Sequence, residues 1–432
     1  MQSRKNHAPG VNLNLNVRGL QQSATLRINE ISDKMIREGH QIFKLGLGQS
    51  PFPVPQVVQD ELKANTHQKD YLPVMGLREL RGAVAGYLHR AQGVDFTPDN
   101  IMIGPGSKEL MFILQLVYYG DLVIPTPSWV SYAPQAHIVG RHISWVPTNA
   151  GDCWRIMPEE FEKLCSMDPD RPRLVILNYP ANPHGCTYRI DELKAIAHIA
   201  RKYHVLLLSD EIYGELHHLG QHVSIARYYP EGTIISSGLS KWCGAGGWRL
   251  GTFAFPRSLT WLRDAMAVVA SETYTSTSAP IQYAAVRAFQ GGLEIERYLS
   301  QSRRVLRSLS AVLVSKLRKS GVSLSEPKGA FYLFPDFSPF REKMIQRGIY
   351  NNEQLCERLL EETGVAILPG SVFGRSPEEL TARLAYVDFD GARVLTAASQ
   401  IAEGKSLDHV FLETYCRNCL TAVDKICDWL IT

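Results

Sequence analysis

Six short apolar runs separated by helix-length stretches limit this fold more than anything else in the chain. They read DNIMIGPG, GDLVIPTPSW, RLVILNYPANPHG, HVLLLSDEIY, GTIISSGLSK and RLGTFAF, and all lie between Asp99 and Phe255. Unbroken apolar runs of this length belong to strands buried on both faces, and their alternation with helices predicts an α/β fold with a mostly parallel sheet. The runs break at their carboxyl ends into Gly, Pro, Asn, Asp or Ser. Open α/β sheets hold their ligands at those ends.

A chain of 432 residues exceeds what one core usually serves, so two domains are expected. A long Leu-, Val- and Arg-rich helix over 294–320 joins the sheet to a second, smaller α/β unit containing GAFYLFPDF, VAILPGSVFG and ARLAYVDFD. The boundaries expected are a large domain over 51–299 and a small domain from both chain ends, 1–50 plus 300–432, with an N-terminal arm. In that arm VNLNLNV alternates apolar residues with asparagine, the period of a strand with one buried face. It reads equally as an arm lying on a partner subunit or as a leader without fixed structure. From Ala24 to Gly39 the apolar residues recur at helical spacing.

The 46 basic and 43 acidic residues leave a formal charge of +3, which favours neither nucleic acid nor a membrane surface. No apolar run reaches the length of a membrane span or a signal-peptide core, so a cytoplasmic protein is expected. CRNC is the one close pair among eight cysteines, with no second pair at zinc-ligand spacing. His217, His218 and His222 in LHHLGQH read as a solvated loop, and no metal is expected. Glu109 and Glu211 read as helix-start charges.

The chemistry begins with Asp210, which ends the run HVLLLSD. A buried carboxylate needs a partner. A helix cap would serve, and so would a cationic ring nitrogen on a cofactor. Lys241 follows the next strand, with Ser240 before it and Arg249 after it. A surface lysine in a glycine-rich loop would also read this way. An amine that attacks a carbonyl, by contrast, must be partly desolvated and close to other cations, which lowers its pKa. The loop GPGSKEL over 104–110 turns a strand into a helix and so offers an anion site at the helix start. Its spacing is not that of a nucleotide P-loop. A phosphate cradle beside a reactive amine and a carboxylate is the description of a pyridoxal phosphate site.

These residues resemble the class I and II aminotransferases, fold type I pyridoxal-phosphate enzymes, in order along most of the chain. GLSKWCGAGGWRLG over 238–251 fits the family's lysine signature at every position. The resemblance implies that Lys241 forms the Schiff base and moves the proton. It also implies that Asp210 meets the pyridinium nitrogen, and that Tyr213 and Asn182, in DEIY and NYPANPHG, meet the phenolic oxygen. Ser240 and Arg249 would hold the phosphate with Gly106, Ser107 and Lys108, and Trp129 in PTPSWVSY would stack on the ring. Tyr71 in YLPVMGLRELR would cross to the neighbour's phosphate, which implies a homodimer with shared active sites. On the substrate side, Arg383 and Gly48, with Asn182, would bind the α-carboxylate. Two positions depart from the pattern: His184 replaces a threonine, and Gly238 stands where a phosphate-binding serine is common, a gap that Ser236 or Ser237 could fill.

The resulting expectation is a transaminase that moves the amino group of an L-amino acid to a 2-oxo acid by ping-pong turnover. A lyase on the same scaffold, such as a C–S β-lyase or an aminocyclopropane-carboxylate synthase, is the alternative, and a non-catalytic regulator a third. The aromatic surroundings, Phe52, Trp129, Trp242, Phe331 and Tyr332, suggest room for an aromatic or medium-sized neutral side chain. The family lysine for a distal carboxylate is absent at Ser107, which argues mildly against a dedicated dicarboxylate enzyme.

Overall fold

All six apolar runs become strands of one seven-stranded sheet in the computed structural model, which describes residues 12–20, 22, 24–402 and 404–431. The strands are β1 (Ile101–Gly104), β2 (Asp121–Thr126), β3 (Ile143–Pro147), β4 (Arg173–Asn178), β5 (Leu206–Asp210), β6 (Thr233–Gly238) and β7 (Gly251–Ala254). Their order is β1-β7-β6-β5-β4-β2-β3. The ladder from β3 to β6 is parallel, whereas β7 runs antiparallel to both β6 and β1. Successive residues of one strand enter opposite cores: Val175 and Leu207 pack on one face, Ile176 and Leu208 on the other. This double burial explains the unbroken apolar runs. The seventh strand, β3, sits at an edge and is mostly half-exposed or exposed, so its sequence carries no such run.

The second unit is a small antiparallel sheet, β9-β10-β8, made of β8 (Tyr332–Leu333), β9 (Leu368–Pro369) and β10 (Ala382–Ala385). Near it Phe43–Lys44 pairs in parallel with Val365–Ala366. Four helices bear on the argument: α1 (Ala24–Arg37), α2 (Ser107–Val117), α3 (Leu293–Lys319) and α4 (Arg417–Ile431). The 27-residue α3 buries Leu299, Leu306, Leu313 and Leu317 along one face, as its sequence predicts.

Three expectations fail. Asn12–Val17 forms no strand; Leu15–Val17 is a 3₁₀ turn, and the Asn14 side chain accepts from the Asn16 amide. Asparagine side chains compete with strand ladders in this way. Val11 and the residues before it lie outside the described residues. The histidine loop is not solvated: His217 and His218 are buried, and His222 Nε2 donates at 2.9 Å to the carboxylate of the buried Glu211. Glu211 also accepts from Ser209 and Ser224, so it anchors a buried polar network and is no helix-start charge. No cluster of metal ligands occurs among the described residues.

Candidate active site

The carboxyl ends of β4, β5 and β6 bring the first group together. Asp210 closes β5 and is 3% exposed. Its carboxylate accepts from the Tyr132 hydroxyl at 2.5 Å and from Ser236 at 3.4 Å. Burial pushes its pKa up to about 6, against the hydrogen bonds from Tyr132, the Ile212 amide and Ser236. Asn178 at the end of β4 donates to the Asp210 carbonyl and accepts from the Asn182 amide, which fixes the loop carrying Asn182.

Lys241 follows β6, and its amine donates to the Gly48 carbonyl at 2.7 Å. Burial lowers its pKa to about 8, with Arg383 and Arg249 adding to the effect. The rings of Tyr213 and Phe331 lie within 6 Å of the amine, at 5.6 and 5.9 Å. The Tyr213 hydroxyl is 2.7 Å from that of Tyr332.

An anion cup stands beside this pair. Gly106, at φ 90°, starts α2, whose first amides, on Ser107 and Lys108, have no helix carbonyl to reach. A Cβ on Gly106 would lie 2.2 Å from Arg249 Nη2, and one on Gly251 would lie 2.1 Å from the Ser107 amide. Both glycines are therefore conditions of the cup. Among the described residues Arg249 donates to the carbonyls of Gly246 and, at 3.5 Å, Pro105. The Lys108 amine sits 5.2 Å over the Trp129 ring. Burial, with Arg249 second, lowers its pKa. Neither cation has a carboxylate partner among the described residues. Gly238 cannot be the serine that the pattern favours, because a Cβ there would meet the Leu250 carbonyl at 2.6 Å. Ser236 does not fill the gap, since its hydroxyl donates to Asp210.

The third group lies on β10. Arg383 is 1% exposed, and its guanidinium donates to Asn182 Oδ1 at 3.1 Å and to the Gly46 carbonyl, while Nε has no partner. It rests on the rings of Tyr332, at 4.8 Å, and Phe373, at 5.1 Å. No carboxylate pairs with it among the described residues. A buried cation without a counter-charge is costly, so the site is built for an anion that arrives with a ligand.

The structure thus gathers Gly48, Asn182, Asp210, Tyr213, Lys241 and Arg383 in one contact network, beside a cup of Gly106, Ser107, Lys108 and Arg249, with Ser240 next to the lysine. Trp129 packs edge-on against Tyr132 at 5.3 Å, near Asp210. Tyr71 is 90% exposed and stands on the surface, outside the cluster. Two of the aromatic residues expected around the substrate face elsewhere: Trp242 packs on Phe289 and Phe52 on Phe389. Sequence reading passed over Tyr132, whose only signal is a hydroxyl three residues beyond Trp129. Three unpaired cations around one desolvated amine and one buried carboxylate fit pyridoxal phosphate with a carboxylate substrate, because each cation then gains an anion.

Comparison with known proteins agrees with this geometry. The family description "Aminotransferase class I and II" matches residues 40–395. The chain is 35% identical over 380 residues to the aspartate aminotransferase of Geobacillus stearothermophilus, covering 86% of this chain and 93% of that one. It is 30% identical over 366 residues to the aspartate/prephenate aminotransferase of Thermus thermophilus, covering 84% and 91%. The solved Thermus thermophilus aspartate aminotransferase with maleate superposes with a TM-score of 0.82 at 26% identity, over 96% of this chain and 99% of that chain.

Proposed function

The chain belongs to the class I and II aminotransferases, and from that premise we propose that it moves the amino group of an acidic L-amino acid, aspartate first, to a 2-oxo acid. The observation that carries the reading is Arg383: a buried guanidinium with a free Nε and no counter-charge among the described residues, held by Asn182 within the cluster of Lys241 and Asp210. The names of the relatives supply aspartate as the first donor to test. They weigh more than the absence of a lysine at Ser107, since a partner subunit can supply the distal cation.

Pyridoxal phosphate, when bound, supplies an electron-accepting ring that stabilises the charge left at the α-carbon. The Arg249 guanidinium, the Ser240 hydroxyl and the amides at the start of α2 would hold its phosphate. The carboxylate of Asp210 would face its ring nitrogen, with Tyr132 keeping that carboxylate oriented. Tyr213 and Asn182 would donate to its phenolic oxygen, and Trp129 would cover one face of the ring. Lys241, with a pKa lowered to about 8, is able to present a neutral amine that takes a proton from the α-carbon and would hand it, on the same face, to the cofactor's C4′ carbon. Arg383 would clamp the substrate's α-carboxylate and so fix the α-carbon beside that amine.

The division into 51–299 and 1–50 plus 300–432 belongs to the same proposal, supported by the pairing of Phe43–Lys44 with Val365–Ala366. So does a homodimer with shared sites, supported by the exposure of Tyr71. The test mixes purified, cofactor-loaded protein with aspartate and a 2-oxo acid. Conversion of the visible spectrum by aspartate, reversed by the 2-oxo acid, is expected, and Lys241→Ala should keep cofactor but lose turnover. Release of pyruvate or ammonia with no acceptor present would instead identify a lyase.

A further inference from the structure

The Tyr332 side chain lies between Tyr213, the Gly48 carbonyl that Lys241 holds, and the Arg383 guanidinium. It lies on β8, paired with Ala385, two residues beyond Arg383 on β10. Its ring supports the Arg383 guanidinium at 4.8 Å. Its hydroxyl is 2.7 Å from the Tyr213 hydroxyl and 3.5 Å from the Gly48 carbonyl, the same carbonyl that Lys241 holds at 2.7 Å. A Cβ on Gly48 would come within 2.1 Å of that hydroxyl, so glycine at 48 and tyrosine at 332 are a matched pair.

The proton count gives this arrangement its content. One hydroxyl has one proton to donate. If Tyr332 gives its proton to Tyr213, the Tyr213 proton is free to point at another acceptor. If Tyr332 gives it to the Gly48 carbonyl, Tyr213 must donate to Tyr332 to keep their contact, and its proton turns away from the ring site. While Lys241 holds the Gly48 carbonyl at 2.7 Å, Tyr332 reaches it only at 3.5 Å, and its 2.7 Å contact with Tyr213 is the stronger, so the first orientation wins. When Lys241 moves off, the carbonyl loses its donor, and Tyr332 is in place to replace it.

We propose that Tyr332 is a positioning residue whose hydroxyl sets the direction in which Tyr213 donates according to where Lys241 is. The proposal rests on the transaminase reading above. Tyr332 stays neutral throughout, because burial raises its pKa. The charged and titratable groups facing Lys241 are Arg383, Arg249, Asp210 and Lys108, with Tyr213 beneath the amine.

The test compares Tyr332→Phe, Tyr213→Phe and the double variant as loaded enzymes, through the pH midpoint of the visible band and through kcat and KM for aspartate. With Lys241 drawn off the Gly48 carbonyl in the loaded enzyme, Tyr332 would donate there and Tyr213 to Tyr332; without the Tyr332 hydroxyl, Tyr213 is free to donate to the acceptor oxygen, which then holds the neighbouring lysine proton less tightly. Tyr332→Phe should therefore lower the midpoint by about one pH unit, the scale of one hydrogen bond, and lower kcat roughly tenfold while KM changes less than about threefold. Adding Tyr332→Phe to Tyr213→Phe should move the midpoint no further. An equal shift in both backgrounds would mean general disturbance of the site, and no shift in the single variant would mean no coupling; either overturns the proposal. Failure of the wild-type protein to transaminate would instead bring down the reading beneath it.

Discussion

Asp210 must stay ionised to serve a ring nitrogen, yet burial pushes its pKa to about 6. Tyr132 opposes that push through a 2.5 Å bond. A hydrogen bond to a buried charge is worth about 1.5–3 kcal/mol, or roughly 1–2 pKa units. Tyr132→Phe should thus raise the Asp210 pKa past neutrality, move the acid limb of kcat/KM upward by about one unit, and lower the stability of the cofactor-free protein by about 1 kcal/mol near neutral pH, because the buried carboxylate must take up a proton more readily than it does unfolded; a pH–rate profile and a thermal melt check this. Lys241 moves in the opposite sense. Its amine is half neutral near pH 8, where an ordinary lysine, at 10.5, is almost wholly protonated. The rate at which cofactor-free protein acquires the visible band on mixing with pyridoxal phosphate should rise through pH 8. Arg383→Met removes a cation that depresses this pKa, so the same curve should shift to higher pH. Both effects were half legible in sequence. Asp210 and Lys241 stand at strand ends with telling neighbours, but Tyr132 acts from another loop, and a contact across 78 residues leaves no spacing to read.

The loop before α2 depends on backbone shape more than on side chains. At φ 90°, and with an added Cβ falling 2.2 Å from Arg249 Nη2, Gly106 admits no side chain without strain of about 1–3 kcal/mol and displacement of the guanidinium. Gly106→Ala should weaken pyridoxal phosphate binding at least about tenfold, measured by equilibrium dialysis of the cofactor. Gly82→Ala is the matching control. That glycine lies inside the helix Arg78–Gln92, where an added Cβ would meet Pro98 at an ordinary 3.8 Å, and alanine favours a helix interior by about 1 kcal/mol, so binding should be unchanged and stability slightly raised. The elements that were legible share a cause. Strands buried on both faces must be apolar throughout, and α3 must carry one apolar face. The edge strand β3 and the turn at Leu15–Val17 face solvent, so their composition is set by local bonds that periodicity does not report. The histidine loop misled for the opposite reason: His217 and His218 are buried, and their partners are the Leu219 and Gln221 amides for His217, the Ala330 carbonyl and Tyr386 hydroxyl for His218, and Glu211 for His222.

The single chain leaves large apolar side chains exposed along and beside α2, the helix whose start forms the anion cup. Leu116 and Tyr119, at and just past the end of α2, and Trp261 and Val268, on the helix Thr260–Ser271 that packs against it, are exposed by 49, 88, 56 and 65%. Tyr71 is 90% exposed. Exposed apolar residues grouped in this way mark a face that another surface covers. A twofold partner would cover it and could bring Tyr71 to the other chain's cup. Mixing two inactive variants decides whether it does. In a hybrid of Lys241→Ala and Tyr71→Ala chains, one site combines both defects, and the other keeps its own Lys241 and receives an intact Tyr71 from its partner. Random reassociation makes half the dimers hybrid, each with one sound site of two, so about a quarter of wild-type activity should return. If Tyr71 served its own chain, every site would carry a defect, and mixing would restore nothing above the average of the two variants. Activity measured against the time of subunit exchange separates these outcomes, because only the first makes recovery follow the rate at which chains trade partners.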